Sequence, residues 1–320
     1  MTDSVFDTPL EEHNGVVNGP FRKPLQMLAE QEYGGHLSIH DDEQAQELGF
    51  SGAPIEGPTH FSQFDPLLHS IWGDRWFENG CISSHFKNVV VEGEEVQAFV
   101  EVPKDGATIT KLWAQKKTGE LVLEGTASIG PQHPATRLDE LMASRPTPEQ
   151  LVLLENVKIG DKSPTPDRFQ MGFDQHLGNS YPFSLNNKLE KITESCRWYG
   201  AENAAATPWG KAIMPTEMVS PFVGSTASGL TGPKGPSIGL FADLEVRMIK
   251  GPLFVGQDYI LEREVVGLGE SKRTESMWIK TSIKDVDSGE VLATTLLNSA
   301  TLKQSYEKYQ EEAKRIGKVL

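Results

Sequence analysis

An internal repeat limits the possible folds of this chain more than any other feature. Residues 33–61 (YGGHLSIHDDEQAQELGFSGAPIEGPTHF) and residues 199–218 (YGAENAAATPWGKAIMPTEM) both begin with Tyr-Gly and reach Pro-Thr near their ends. Downstream, residues 82–102 match residues 240–265. The offset of about 160–170 residues is half of the 320-residue chain, which is typical of a tandem duplication. We therefore predict two copies of one structural unit.

The first copy begins with two helices. Asp41 or Asp42 suits the N-cap of a short helix, and Gly49 lies where such a helix commonly ends. Apolar residues at helical spacing then predict a longer helix with one apolar stripe, formed by Phe61, Phe64, Leu67, Leu68 and Ile71.

Strands make up most of the remainder of each copy. Alternating, β-branched segments separated by Gly-containing turns predict strands near 82–91, 94–102, 107–115 and 120–129. The second copy repeats this order, with a helix near 216–228, strands near 238–249, 257–267, 272–285 and 290–302, and a final charged helix over 303–318. One long helix with four or five antiparallel strands is an α+β unit in which the sheet wraps the helix.

The domain boundaries follow from this pattern. We predict an N-terminal tail over residues 1–20, a first unit over 21–130 and a second unit over 181–320. Residues 131–180 are rich in Pro and polar residues, so we predict that they form a linker between the two units.

Composition excludes several classes of function. Thirty Lys and Arg against 45 Asp and Glu give a net charge of −15, which disfavours binding to nucleic acid. No run of apolar residues is long enough to span a membrane, and the first residues lack the pattern of a signal peptide. Cys81 and Cys196 are far apart and lack a CxxC spacing, so we expect two reduced thiols in a cytoplasmic protein.

Short motifs in both copies resemble a known family. Ile39-His40, Gly49-Phe50 and Ile55-Glu56-Gly57 follow one another in the first copy, and Tyr199–Ala204 and Pro208-Trp209-Gly210 occupy the corresponding region of the second. This order resembles the MaoC-like double hot-dog proteins, the group of (R)-specific enoyl-CoA hydratases and 3-hydroxyacyl dehydratases. The resemblance implies a double hot-dog fold, in which two fused units each wrap an antiparallel sheet around a long helix.

The catalytic dyad of that family is incomplete in this chain. The family uses an Asp five residues before a His to orient one water molecule. In the first copy His40 takes the histidine place, but Gly35 stands at the aspartate place. In the second copy Asn203 is retained, whereas Ala201 and Ala206 replace the dyad. Because alanine supplies neither an acid nor a base, we expect the second site to be inactive in that reaction.

The candidate catalytic residues therefore belong to the first copy. We expect His40 to act as a base oriented by Asp41, with Glu56 or His60 as a further acid or base. The Gly57 N–H, at the start of the long helix, is the candidate oxyanion donor. The alternatives without a catalytic role are a capping or solvent-exposed position for His40 and a favourable charge at the helix start for Glu56.

The second copy is expected to hold the bulk of the substrate. Tyr199, Asn203 and Trp209 are the candidate substrate-binding residues, and the alternative for the aromatic pair is simple core packing. His36 and His40 lie four residues apart, but without a firm helix or an HExxH pattern we expect no metal site.

These features lead to three functional hypotheses. The first is a MaoC-like lyase that hydrates or dehydrates an acyl-CoA or a similar activated carbonyl compound. The second is a degenerate protein that binds an acyl thioester without converting it. The third is a hot-dog lyase, isomerase or thioesterase with a rebuilt site and a substrate other than a CoA ester. We expect a small-molecule partner and no cofactor, nucleic acid or membrane, and the sequence leaves a homodimer open.

Overall fold

Antiparallel strands from both units pair into one continuous sheet. The structure is a computed structural model, and it describes residues 5–33, 36–226 and 228–318. Eleven strands of the described chain form this sheet, in the order β1-β2-β6-β7-β8-β5-β10-β13-β12-β11-β9. The strands are Glu11–His13 (β1), Val16–Asn18 (β2), Glu32–Tyr33 (β3), His36–Leu37 (β4), Gly80–Phe86 (β5), Val96–Glu101 (β6), Ile109–Lys116 (β7), Leu121–Ile129 (β8), Asp167–Phe169 (β9), Gly239–Met248 (β10), Tyr259–Glu270 (β11), Thr274–Asp285 (β12) and Val291–Leu302 (β13). Strands β3 and β4 form a separate small hairpin.

The pairing of β5 with β10 joins the two units. Ser84 lies opposite Leu244 in this pair, and the buried Asp243 carboxylate is 2.6 Å from Nδ1 of His85 across the same seam. Outward from the seam, the sheet continues β8-β7-β6 on one side and β13-β12-β11 on the other. This mirrored order is what a duplication predicts, and the duplication itself stays a prediction. The eight long strands confirm the strand positions expected from the alternation of apolar residues.

The helices are Asp42–Glu47 (α1), Asp65–Trp72 (α2), Arg75–Asn79 (α3), Arg137–Ser144 (α4), Leu185–Leu189 (α5), Val219–Gly224 (α6) and Tyr309–Arg315 (α7). Residues Gly57–Phe64 form a 3₁₀ helix that leads directly into α2. We call the two together helix 57–72. The sequence pattern predicted one α-helix here, but Pro66 has no N–H for an α-helical bond to residue 62, and its ring crowds that carbonyl group.

The corresponding helix of the second unit is shorter than expected. A 3₁₀ turn over Thr216–Met218 leads into α6, which ends at Gly224 rather than near residue 228. Position 227 lies outside the described residues. The charged C-terminal segment also divides into a 3₁₀ turn over Lys303–Ser305 and α7.

The segment expected to be an N-terminal tail contributes to the sheet. Strands β1 and β2 form a hairpin whose second strand pairs with β6. The turn between them is Asn14-Gly15, where both residues have positive φ (53° and 75°). Asn-Gly in this conformation forms the tight turn that matches the twist of a hairpin. The predicted linker also contains ordered elements, namely α4 and β9.

The two units share one hydrophobic core. Phe61 and Leu68 of helix 57–72 belong to the same buried cluster as Val219 and Phe222 of α6. On the opposite face of the sheet, α4 covers the seam, and the N–H of Leu138 donates to Oγ of Ser83. Both faces near β5 and β10 are therefore shielded from solvent.

Candidate active site

The 3₁₀ part of helix 57–72 carries a row of polar residues that faces the second unit. A 3₁₀ helix has three residues per turn, so residues spaced by three share one face. Oγ1 of Thr59 accepts from Lys188 Nζ at 3.1 Å, and Ser62 Oγ lies 2.8 Å from Thr193 Oγ1. Next along the row comes Asp65. These contacts join residues more than 125 positions apart in the sequence.

Asp65 is held by three donors. Its carboxylate accepts from Thr216 Oγ1 at 2.7 Å, from Trp76 Nε1 at 2.8 Å and from the Tyr199 hydroxyl at 2.8 Å. Burial raises its pKa to about 6, and the three hydrogen bonds oppose this rise. Asp65 has no free oxygen for a ligand, so it acts as a structural link between the units.

Glu56, Lys188 and Glu217 form the charged part of the site. Lys188, on α5, places Nζ 3.5 Å from Oε1 of Glu217, and both side chains are buried. Glu56 precedes the 3₁₀ helix and is also buried, with the Tyr181 hydroxyl as a hydrogen-bond partner. The three residues come from both units, so the site lies at their contact. We call Glu56, His60, Lys188 and Glu217 the polar cluster.

The two glutamates of the polar cluster have raised pKa values. Burial is the main cause and raises the pKa of Glu56 and of Glu217 to about 7 each, while the Lys188 ammonium lowers both. The negative charge of Glu217 adds to the rise at Glu56. Two interacting carboxyls titrate as a pair. The two carboxyls therefore change their protonation state close to neutral pH.

Some atoms of the polar cluster have no hydrogen-bond partner among the residues that the structure describes. They are Oε1 of Glu56 and Nδ1 of His60, and the two side-chain polar atoms of the buried Gln63 on the same helix also lack one. The Glu217 carboxylate, by contrast, has the Lys188 ammonium 3.5 Å from its Oε1. Burial, with the charges of Lys188 and Lys116, lowers the pKa of His60 to about 4, so its ring is neutral. Buried polar atoms are nearly always paired in folded proteins. This concentration of unpaired atoms distinguishes the cluster from ordinary core.

The expected His40–Asp41 pair does not form in the structure. Nδ1 of His40 is 2.5 Å from the carbonyl oxygen of Pro54, and burial lowers the pKa of His40 to about 4. Asp41 instead caps α1 by accepting the N–H of Gln44 at 3.0 Å. The reason is that helix capping engages the nearest carboxylate. Gly35, at the aspartate place of the family motif, lies outside the described residues.

The remaining candidates divide into two groups. A Cβ atom at position 57 would lie 2.6 Å from the Phe86 ring, so glycine permits this close approach at the start of the helix beside Glu56. Tyr199 reaches the site only through Asp65. Trp209 donates to Glu78 at 3.2 Å, and Asn203 donates to the adjacent Glu202 at 3.3 Å. Asn203 and Trp209 therefore bond to residues outside the polar cluster.

No sequence motif indicated Lys188 or Glu217 as site residues. The repeat carries a signal for one of them: Glu217 follows Pro215-Thr216, just as His60 follows Pro58-Thr59. Lys188 lies near the start of the predicted second unit (181–320) and matches no motif. Nothing in its sequence surroundings indicates that α5 brings it beside Glu217.

Within the described ranges, no three His, Cys, Asp or Glu side chains lie together as a group able to hold a metal ion. None of the helices in these ranges has the length and apolar character of a membrane span.

Comparisons with known proteins agree with the fold. No family model and no curated protein sequence matches this chain. Among solved structures, a MaoC domain protein from Chloroflexus aurantiacus, assigned as a dehydratase, aligns with 93% of this chain and 94% of its own, at 14% identity and a TM-score of 0.53.

Two further structures match less well. A conserved hypothetical protein from Mycobacterium tuberculosis, described as a double hot-dog fold, aligns with 82% of this chain and 86% of its own, at 10% identity and a TM-score of 0.46. A protein from Novosphingobium aromaticivorans, assigned as a thioesterase, aligns with 92% and 98%, at 15% identity and a TM-score of 0.41. The chain is an α+β protein. It has the double hot-dog fold that MaoC-like dehydratases share, as its sequence motifs predicted.

Proposed function

We propose that this chain is a hydratase or dehydratase, a lyase that acts on an acyl-CoA or a similar activated carbonyl compound. The observation that carries the proposal is the pairing of Glu56 and Glu217 beside Lys188, with pKa values of about 7. Acid–base catalysis is most effective when the pKa of the catalytic group lies near the working pH. A site that holds one ionised and one protonated carboxyl contains both a base and an acid.

The pair suits the addition of water to an α,β-unsaturated thioester. The ionised carboxyl accepts a proton from water as the water oxygen bonds to Cβ. The protonated carboxyl gives its proton to Cα, and the C=C bond becomes a single bond. We assign the charge to Glu217, since its Oε1 is 3.5 Å from the Lys188 ammonium, and the proton to Glu56. Dehydration is the same sequence in reverse.

Other residues of the first unit complete the proposed site. The Gly57 N–H is the proposed donor to the thioester oxygen, and the neutral His60 ring offers a free Nδ1 to substrate. His40 remains an alternative base. Its ring lies near Glu56 in the chain fold, since Nδ1 bonds the carbonyl oxygen of Pro54, two residues before Glu56. The polar cluster is buried, so substrate binding requires the contact between helix 57–72 and α5 to open.

Hydration of crotonyl-CoA, followed as the loss of enone absorbance, tests this proposal. We expect Glu56→Gln to lower kcat/KM by about 10²–10⁴-fold, the usual contribution of a general acid or base. Glu92→Gln is the matched control, because Glu92 is exposed and outside the cluster. His40→Ala, measured beside it, tests whether the His40 ring takes part in the proton transfer.

Three outcomes would contradict the proposal. Turnover that Glu56→Gln and His40→Ala leave unchanged would place the chemistry elsewhere. A rise in melting temperature with CoA but no turnover would favour the acyl-thioester binding protein. Release of free CoA thiol without loss of the enone would favour a thioesterase.

A further inference from the structure

A second cavity lies at the other end of helix 57–72. The C-terminal turn of α2, the start of α3, the loop between β6 and β7 and the edge hairpin β1–β2 enclose a groove of about 490 Å³. Ligand pockets for small molecules commonly measure about 300–1,000 Å³. The groove shares no lining residue with the polar cluster.

The groove has apolar walls and a cation at its rim. Val17, Ile71, Trp72 and Val102 line it, and the Trp72 ring stacks on Trp76 at a centroid distance of 6.2 Å. Arg75 is exposed and donates one hydrogen bond, from Nη2 to the carbonyl oxygen of Gly130 at 3.1 Å. In the described part of the chain, Arg75 has no carboxylate within ion-pairing distance. The guanidinium thus retains donors for an external acceptor.

We infer that this groove binds an amphipathic monocarboxylate, such as a medium-chain fatty acid. The apolar walls take the chain, and Arg75 pairs with the carboxylate, whose planar geometry matches a guanidinium. Glu12 also lines the groove, and the whole chain carries a net charge of −15. Both features disfavour ligands with several negative charges, such as phosphates.

Calorimetric titration with decanoate, below the concentration at which it forms micelles, tests the inference. We expect saturable binding that Arg75→Gln weakens about tenfold, with partial recovery in Arg75→Lys. Arg315→Gln is the matched control, because Arg315 is exposed on α7, far outside the groove lining. Ala107→Trp provides a second variant that fills the groove from an exposed loop position, and it should abolish binding without affecting the core.

The head group is tested by comparing decanoate with decyl phosphate and decanol. We expect decanoate to bind most tightly. Equal affinity for decyl phosphate would overturn the assignment to a carboxylate, and equal affinity for decanol would remove the role of Arg75. Absence of saturable decanoate binding, or binding that Ala107→Trp leaves unchanged, would overturn the site itself. None of these measurements depends on hydratase activity.

Discussion

Glu56 illustrates how burial sets the properties of a single side chain. The residue is 6% exposed, and burial raises the pKa of its carboxyl from 4.5 to about 7. An unfolded chain ionises this group near its ordinary pKa, so between these values the folded state binds more protons than the unfolded state. Stability associated with Glu56 is therefore fully present below the unfolded pKa and is lost as the pH rises through about 7.

Replacing Glu56 by glutamine removes this pH dependence. The unfolding free energy of Glu56→Gln minus that of the unmodified chain should increase by roughly 2–3 kcal/mol from pH 5 to pH 8. Denaturant titrations at the two pH values measure the difference, with Glu92→Gln as the exposed control. A gap between the two proteins that stays constant with pH would show that Glu56 is ionised normally in the folded state.

Gln63, three residues after His60, is a second buried side chain with a clear energetic consequence. It is 3% exposed, and neither its amide nitrogen nor its oxygen has a partner among the described residues. Because such a group loses its hydrogen bonds to water on folding, Gln63→Met should raise the unfolding free energy by about 1–2 kcal/mol. Binding sites are commonly less stable than they could be, because their polar groups serve function.

The same substitution at a paired glutamine should have the opposite sign. Oε1 of Gln26 accepts from the backbone of Met27 and Leu28, and its Nε2 donates to Pro54 at 2.7 Å. Gln26→Met should therefore lower the unfolding free energy by about 1–2 kcal/mol. Urea denaturation of both variants gives the comparison, and a loss of stability in Gln63→Met would mean that its amide is paired after all.

At the scale of elements, Asp65 fixes how helix 57–72 meets the second unit. Its carboxylate accepts bonds from Trp76, Tyr199 and Thr216, all buried. Asp65→Ala leaves three buried donors without an acceptor and should cost about 2–5 kcal/mol of unfolding free energy. Tyr199→Phe removes one bond only and should cost about 1 kcal/mol. Chemical denaturation measures both, and equal losses would contradict this graded account.

The elements themselves were predictable, whereas their contacts across the units were not. Strand β6 and most of β11, for example, alternate between buried and less buried residues, as the sequence pattern predicts for strands. The 3₁₀ geometry of residues 57–64 was missed, since apolar spacing alone does not separate it from an α-helix. That geometry decides that Thr59, Ser62 and Asp65 share the face that contacts the second unit.

At the scale of the whole molecule, the site depends on contacts between residues that are far apart in the sequence, and such contacts could not be predicted from it. Asp65 and Thr216 are 151 positions apart, and Thr59 and Lys188 are 129 apart. The family motifs indicated the fold and drew attention to Glu56 and Gly57. They did not indicate Lys188 or Glu217, because neither residue lies in those motifs.

The shared sheet and shared core also determine how the molecule unfolds. Strands β5 and β10 pair over five residues each at the seam, and the hydrophobic core runs through both units without a break. Neither unit can unfold without exposing the apolar face of the other and the unpaired edge of the central strand. We therefore expect one cooperative thermal transition, with equal calorimetric and van't Hoff enthalpies.

Hydrogen exchange gives a position-resolved version of this prediction. Backbone amides of β8 in the first unit and of β13 in the second should exchange with the same free energy of opening, equal to that of global unfolding. Asp65→Ala should lower both values together, although Asp65 belongs to the first unit. Two calorimetric transitions, or a loss of protection confined to β8 in Asp65→Ala, would indicate two independently stable units, and a cluster built at their contact would then lack a rigid support.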